Sequence, residues 1–266
     1  MKNRFITRLF STLILLIGTF YVASAQVVTV DNYFNQETKP ALAGKKASFH
    51  YLWNDESMTG FSIFGNSFRA GGAKVLNVLA EGPTASNLNE SDIYIIVDPD
   101  NLKDNPNPNF MNDTDADAIA KWVKAGGVLF LLANDEANAD LIHFNILAKK
   151  FGFMFNNDLI LHVTNDEHFA DGGLNTGKNE VFSTSRKIFI KDASSIKIIN
   201  IAAPVLKTPK GENVIVVATY GKGTVLAVGD PWLYNEYTNG RLPATFQNNL
   251  AANDVANYLI KKARKK

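Results

Sequence analysis

The 266-residue sequence contains no cysteine. Disulfide bonds, cysteine nucleophiles and thiolate metal sites are therefore excluded. The sequence also lacks the Gly-x-Ser-x-Gly turn of many serine hydrolases, the phosphate-binding P-loop and the glycine fingerprint of dinucleotide-binding folds. Because none of these motifs is present, we expect the protein to use no cofactor.

The chain carries no strong excess of charge, since 27 Lys and Arg residues balance 26 Asp and Glu residues. Nucleic-acid-binding domains are usually strongly basic, so we expect no nucleic-acid partner. The basic C-terminal segment KKARKK is local, and it is typical of a solvated helix end, where cations suit the helix dipole.

The first 25 residues have the pattern of a secretory leader. Basic residues within the first eight positions precede an apolar stretch at 13–22 and the small residues Ala23-Ser24-Ala25. This pattern predicts cleavage after Ala25, and the apolar stretch is short for a membrane span. We therefore expect a periplasmic or secreted protein, with a single domain over residues 26–266 and no membrane contact after cleavage.

Beyond the leader, continuous apolar runs alternate with amphipathic segments. Strands are expected near 27–34, 73–80, 93–100 and 128–136, and helices near 60–72, 112–126, 140–152 and 245–262. This alternation predicts an α/β fold with a mostly parallel sheet flanked by helices. Extra β-structure is expected in the 155–220 region, and YGKG is the expected turn of a hairpin over 213–232.

Four of the apolar runs end at an aspartate: Asp31, Asp98, Asp135 and Asp230. The carboxyl ends of parallel strands lie along one edge of a sheet, and ligands bind in the crevice outside that edge. The four carboxylates are therefore candidates for one shared site. The alternative is that each aspartate caps a turn or the following helix, as aspartate commonly does after strands.

The residues around these aspartates favour a site that binds a polar ligand. Aromatic rings beside carboxylates and amides suit a carbohydrate, because the rings stack on sugar faces while hydroxyl groups need donors and acceptors. The candidate catalytic residues are His50, Asp135, His143 and Asp230. The candidate ligand-binding residues are Asp98, Asn134, Trp232, Tyr234, Glu236 and Arg241.

The four histidines of the chain allow more than one interpretation. His50 is a candidate general base, or else a packed histidine in an aromatic loop, and His143 is a candidate base or a helix-surface residue. His162 and His168 lie near Asp166 and Glu167, but their spacing matches no metal motif, so we expect no metal site.

Several segments resemble, in order, one known family. They are FHYLWND, GFSIFGNSF, YIIVDPD, KWVKAGGVLFLLANDEAN, HFNILAKKFGFMFNND, YGKGTVLAVGDPWLYNEYTNGRLP and NNLAANDVANYL. The family is the glutamine-amidotransferase-like domain found C-terminal to unsaturated rhamnogalacturonyl hydrolases of Gram-negative polysaccharide degraders. The resemblance extends from about Val27 to Ile260 and implies a flavodoxin-like, class I amidotransferase-type fold.

The resemblance implies export and a role in pectin breakdown, but it supplies no reaction. Class I amidotransferases use a cysteine nucleophile, so amidotransferase chemistry is not expected here. Our leading hypothesis is an accessory domain that binds a pectin-derived oligosaccharide or assists a pectin-degrading enzyme. Arg241 would pair with a uronate carboxylate, and Trp232 or Tyr234 would stack on a sugar ring. The alternatives are a hydrolase of pectin-derived glycosides or esters with an Asp/His pair, and a structural docking module.

Overall fold

The structure is a computed structural model that describes residues 26–40 and 45–264. The predicted leader, residues 1–25, lies outside the described residues. The strands are β1 (Gln26–Asp31), β2 (Thr38–Pro40), β3 (Lys46–Ser48), β4 (Ala73–Leu79), β5 (Ile93–Val97), β6 (Val128–Leu132), β7 (Phe153–Phe155), β8 (Gly173–Asn175), β9 (Lys187–Phe189), β10 (Ile196–Ile198), β11 (Ala202–Lys207), β12 (Asn213–Tyr220) and β13 (Gly223–Val228). The helices are α1 (Ser62–Gly71), α2 (Ala85–Leu88), α3 (Asp113–Ala125), α4 (Leu141–Lys150), α5 (Asn235–Thr238) and α6 (Asn248–Ala263), with a 3-10 helix at Asp166–Gly172.

The main sheet has seven strands in the order β11-β12-β13-β6-β5-β1-β4. The five strands from β13 to β4 pair in parallel, whereas β12 and β11 are antiparallel. Counted along the chain, the five parallel strands have the spatial order 2-1-3-4-5, which is the order of flavodoxin-like sheets. The predicted α/β fold with a mostly parallel sheet is therefore confirmed.

The sheet is buried on both faces, which explains why its central strands are continuously apolar. Along β5, Ile93, Ile95 and Val97 belong to one core with residues of α1 and α6, while Tyr94 and Ile96 belong to the other core with residues of α3 and α4. Successive side chains of a strand point to opposite faces, so a strand covered on both sides needs apolar residues at every position.

The helices begin and end where local sequence signals place them. Helix α1 buries Phe64 and Phe68, and it stops at Gly72, which has a left-handed φ of 106°. Helix α3 starts at Asn112, whose Oδ1 accepts a hydrogen bond from the backbone N–H of Asp115 at 3.1 Å. Within the described residues, none of these helices has both the length and the apolarity needed to cross a membrane.

The 153–220 region supplies the expected additional β-structure. Strand β7 pairs antiparallel with β10, β8 pairs antiparallel with β9, and β11 with β12 extends the main sheet. The segment after β9 crosses the carboxyl edge of the main sheet, where the N–H groups of Ala193 and Ser194 donate to the carbonyls of Ile160 and Gly229, at 3.0 and 2.9 Å. This crossing places residues 190–195 beside the end of β13.

Candidate functional site

The strand-end aspartates lie along one edge of the sheet, as expected. Strands β1, β5, β6 and β13 are neighbours in that order, and each is followed by one of the four aspartates. The backbone N–H of Asp98 donates to the carbonyl of Leu132 at 2.8 Å, which ties the end of β5 to that of β6. All four aspartates are buried, with exposed fractions between 2% and 7%.

A cleft of about 200 Å³ opens beside Asp230 at this edge. Its lining combines carboxyl, amide, phenol and ammonium groups from Asn134, Asn138, Lys191, Asp192, Asp230, Tyr234, Glu236 and Tyr237. Four of these residues were candidates from the sequence: Asn134, Asp230, Tyr234 and Glu236. The ends of β6 and β13 and the crossing segment thus contribute to one polar concavity.

Asp230 forms the buried base of the cleft. One of its carboxyl oxygens, Oδ2, accepts a hydrogen bond from the backbone N–H of Lys191 at 3.1 Å. Burial raises the pKa of Asp230 well above its ordinary value, and the negative charges of Asp98, Asp192 and Asp135 raise this pKa further. The buried site therefore favours the protonated form of Asp230, which can donate as well as accept hydrogen bonds.

Asp98 lies behind the cleft and is connected to it through two neighbours. Tyr51 Oη donates to Asp98 Oδ2 at 2.6 Å, while Asp98 Oδ1 is buried without a hydrogen-bond partner. Burial raises the pKa of Asp98 to about 8, although the hydrogen bond from Tyr51 and the nearby side chain of Asn134 oppose this shift. The ring of Tyr51 also packs on that of Tyr234, with their centroids 5.9 Å apart.

Left-handed backbone occurs at one residue of the cleft, Asp192, and in segments outside the cleft. Among the residues that the structure describes, five residues other than glycine have a left-handed φ of 46° to 65°: His50, Tyr51, Asp98, Leu161 and Asp192. Tyr51 and Asp98 are hydrogen-bonded to each other, and the N–H of Asp192 donates to the carbonyl of Leu161 at 3.1 Å. Such strain is costly and collects at functional sites, which makes this edge the best candidate site.

Four residues of the cleft were not among the candidates from the sequence: Asn138, Lys191, Asp192 and Tyr237. Asp192 Oδ1 accepts a hydrogen bond from the N–H of Val163 at 3.2 Å and lies 2.8 Å from His162 Nδ1. Lys191 Nζ lies 3.6 Å from Asp192 Oδ2. A signal was present, because KIFIKD is also an apolar run that ends at an aspartate, but its strand pairs outside the main sheet.

The spacing between the two walls of the cleft is set at Gly229, directly before Asp230. A Cβ atom at this position would lie 1.9 Å from the carbonyl oxygen of Ser194. The backbone of β13 therefore approaches the crossing segment more closely than any side chain permits. The hydrogen bond from the N–H of Ser194 to the carbonyl of Gly229 holds this approach.

Trp232 does not have the position that a stacking platform requires. Its side chain is fully buried, with an exposed fraction of 0%, and it belongs to the core shared with α1 and α6. The prediction that Trp232 stacks on a sugar ring is therefore wrong. The ring of Trp232 packs in the core, and the aromatic residues that line the cleft are Tyr234 and Tyr237.

Asp135 follows β6 but acts within its own turn. Its Oδ1 accepts a hydrogen bond from the N–H of Ala137 at 2.8 Å, and its Oδ2 accepts from Asn138 Nδ2 at 2.5 Å. Asp135 does not line the cleft, although its charge acts on Asp230. The structure thus assigns Asp135 the turn-capping role that the sequence had left open.

The two histidines proposed as bases are engaged outside the cleft. His50 Nδ1 lies 2.9 Å from Glu37 Oε1. His143 Nδ1 lies 2.7 Å from Asp140 Oδ2, and its ring stacks on Phe110 with the centroids 4.3 Å apart. Neither residue lines the cleft, so the structure does not bring them together with Asp230.

Arg241 is held on the outer side of the cleft. Its guanidinium forms an ion pair with Glu236, and its Nη2 lies 2.8 Å from Asp166 Oδ1. Both of these partners are acidic, and Arg241 does not line the cleft. The structure therefore does not place the guanidinium where the predicted contact with a uronate carboxylate would need it.

The described residues contain no group of three or more His, Cys, Asp or Glu side chains that could hold a metal ion. His162 is paired with Asp192, and His168 Nδ1 lies 2.8 Å from Asn165 Oδ1. The two histidines are therefore held by different neighbours.

No protein-family model matches the chain, and no curated protein is similar in sequence. Among solved structures, the mmIFT52 N-terminal domain is similar, with a TM-score of 0.61, 14% identity, and coverage of 85% of this chain and 93% of that one. The cytoplasmic protein STM1381 from Salmonella typhimurium LT2 has a TM-score of 0.54 and 14% identity, and the match covers 89% of this chain and 98% of that one.

A β-galactosidase from Rahnella sp. R3 also matches, with a TM-score of 0.50 and 16% identity, over 82% of this chain but only 32% of that enzyme. At these identities the matches show a shared α/β fold and nothing about activity.

Proposed function

We infer that the protein is an exported accessory domain of pectin (rhamnogalacturonan) breakdown and that its cleft binds a saccharide. The observation that carries this proposal is the composition of the cleft, where two amides, two phenols and a carboxyl group with a raised pKa meet. These groups donate and accept hydrogen bonds, and sugar hydroxyl groups can use both kinds of partner. The resemblance of the sequence supports the pectin setting and the export.

The size of the cleft suits one sugar unit. Its volume of about 200 Å³ is below the roughly 300–1,000 Å³ of sites for drug-sized ligands. Tyr234 and Tyr237 both line the cleft, with ring centroids 4.8 Å apart. Their hydroxyl groups, with Asp230 and Asn134, offer hydrogen-bond partners to the hydroxyl groups of a sugar.

Calorimetric titration with rhamnogalacturonan fragments, both acidic and neutral, tests this function. We expect the wild-type protein to bind at least one fragment, and Asp230→Ala to weaken that binding more than tenfold, because the base of the cleft loses its donor and acceptor. His143→Ala is the matched control outside the cleft and should leave the affinity unchanged. Absence of binding to every fragment would overturn the proposal.

A second candidate, a hydrolase acting on glycosides or esters, is favoured by one observation. Asp98 combines a raised pKa of about 8, a free buried oxygen and a strained backbone. A carboxylic acid that keeps its proton at neutral pH can give it to a leaving oxygen. Incubation with the same fragments should then release new reducing ends or acids, and Asp98→Asn should abolish this release without weakening binding.

A further inference from the structure

The charges that face the cleft are mostly negative. Two carboxylates, Asp192 and Glu236, line it together with a single cation, Lys191, and with the acid Asp230. The ammonium of Lys191 lies 3.6 Å from the carboxylate of Asp192 and is therefore already paired. Among the described residues, the cleft thus presents no cation that is free to receive an anionic ligand.

The nearest additional cations are also engaged by carboxylates. The guanidinium of Arg241 forms ion pairs with both Glu236 and Asp166. His162 lies against the side of Asp192, with 2.8 Å between Nδ1 and Oδ1. A ligand carboxylate would have to displace one of these partners before it gained a charged contact.

Asp230 reports the electrostatic potential inside the cleft. The negative charges of Asp192 and Asp135 act on it together, and both oppose its ionisation. A carboxylate of a ligand placed beside Asp230 would be exposed to the same charges. Like charges brought together in a partly buried site are repelled.

We propose that the cleft takes an uncharged sugar unit and rejects a uronate. This inference rests on the proposed saccharide-binding function and names the class of sugar. In a polymer that contains both kinds of unit, the protein would recognise the neutral units and leave the acidic ones in solvent. The proposal replaces the expectation that Arg241 binds a uronate carboxylate.

Pairs of methyl glycosides that differ only at C6 test the proposal. Methyl galactoside is compared with methyl galacturonoside, and methyl glucoside with methyl glucuronoside, by calorimetry at pH 7 and low salt. We expect at least one neutral sugar to bind, at least tenfold more tightly than its uronate. A uronate that binds as tightly as its neutral counterpart would overturn the proposal while leaving saccharide binding intact.

Absence of binding by all four glycosides and by the rhamnogalacturonan fragments would instead overturn the proposed function itself. Methyl galactosaminide provides a cationic probe of the same size. If it binds more tightly than methyl galactoside, the cleft is a site for cations and the proposal is wrong.

A charge variant tests whether electrostatics is the cause. Asp192→Asn keeps the Oδ1 acceptor that Val163 uses but removes one negative charge. The ratio of the dissociation constants of the uronate and of its neutral counterpart should therefore fall at least threefold. Asp117→Asn removes an exposed charge on α3 and should change nothing. The preference should also narrow in 0.5 M NaCl. If the ratio of the two affinities is unchanged both in Asp192→Asn and in high salt, the shape of the cleft causes the discrimination, and the electrostatic proposal is overturned.

Discussion

Asp31 and Asp98 end neighbouring strands with the same sequence pattern, yet the structure uses them differently. Asp31 Oδ2 accepts hydrogen bonds from the backbone N–H groups of Tyr33 and Phe34, at 3.1 and 2.7 Å, and its Oδ1 accepts from Tyr94 Oη at 2.6 Å. Asp98 receives a bond from Tyr51 on one oxygen and leaves the other without a partner. The first carboxyl group stabilises a turn, while the second retains bonding capacity beside a cleft.

The difference coincides with a difference in the residue after each aspartate. Asp31 and Asp135 are followed by Asn32 and Glu136, and each accepts a hydrogen bond from an N–H of its own turn. Asp98 and Asp230 are each followed by a proline, which has no N–H and a fixed φ. Their recorded partners come from distant segments, Tyr51 and Lys191. The Asp-Pro pairs therefore separate the candidate functional carboxyl groups from the turn caps.

The largest expected effect is on stability, from the replacement of Asp31. Asp31→Ala would leave Tyr94 Oη and buried N–H groups without an acceptor, so it should lower the free energy of unfolding by about 3–5 kcal/mol. Urea denaturation at pH 6 measures this change. Asp230→Asn should cost less than about 1 kcal/mol of stability, because asparagine keeps an acceptor for the backbone N–H of Lys191. Equal losses in the two variants would contradict the division into turn cap and cleft residue.

A pH-dependent effect of intermediate size is expected for Asp98. The native protein holds a proton on Asp98 up to about pH 8, whereas the unfolded chain releases it near pH 4. The contribution of this protonation to the free energy of unfolding is fully present below pH 4, and it is lost as the pH rises towards 8. Asp98→Asn mimics the neutral acid. At pH 8 its free energy of unfolding should exceed that of wild type by roughly 2 kcal/mol or more, and at pH 4 the two values should differ little.

Denaturation curves at pH 4, 6 and 8 for both proteins measure the effect at Asp98. Asp31 and Asp100 also have a raised pKa, at about 7 and about 6, so the variant should keep part of the pH dependence. Parallel curves for wild type and variant would show that Asp98 is ionised in the native state, and would remove the main support for the hydrolase candidate.

The smallest effect is expected at His143, which the sequence offered as a base. The side chain is 39% exposed and pairs with Asp140 at the start of α4, so His143→Ala should cost about 1 kcal/mol or less of stability. Saccharide affinity should remain within twofold of wild type. A large loss of affinity in the same calorimetric titration would show that His143 contributes to binding and that the site includes residues of α4.

The sequence predicted the sheet well because each parallel strand carries a strong local signal. Ile93–Val97 and Val128–Leu132 are apolar at every position, which only a sheet covered on both faces requires. The edge position of Asp98 and Asp230 then followed from parallel pairing. Periodicity cannot predict how the segment after β9 crosses that edge, because the crossing depends on single contacts such as the bridge between Ile160 and Ala193.

The side chains of the GDPW segment were harder to predict than its backbone. Trp232 and Tyr234 are both aromatic and only two positions apart, but one is fully buried and the other lines the cleft. Composition alone cannot distinguish them, since the direction of each side chain depends on the short turn between β13 and α5. Lys191 and Asp192 were missed for a related reason: their strand lies outside the main sheet.

The contact between Gly229 and Ser194 has a consequence for how this protein can change its preferences over time. Because two segments of the backbone touch there, widening the opening would require Ser194 to move away from Gly229 and would break the hydrogen bond between them. A change of ligand would therefore come from substitutions of the side chains that line the cleft, while the spacing of the backbone stays the same. Relatives that share the glycine should differ in chemistry at the positions of Lys191, Asp192 and Tyr234 while keeping the same dimensions.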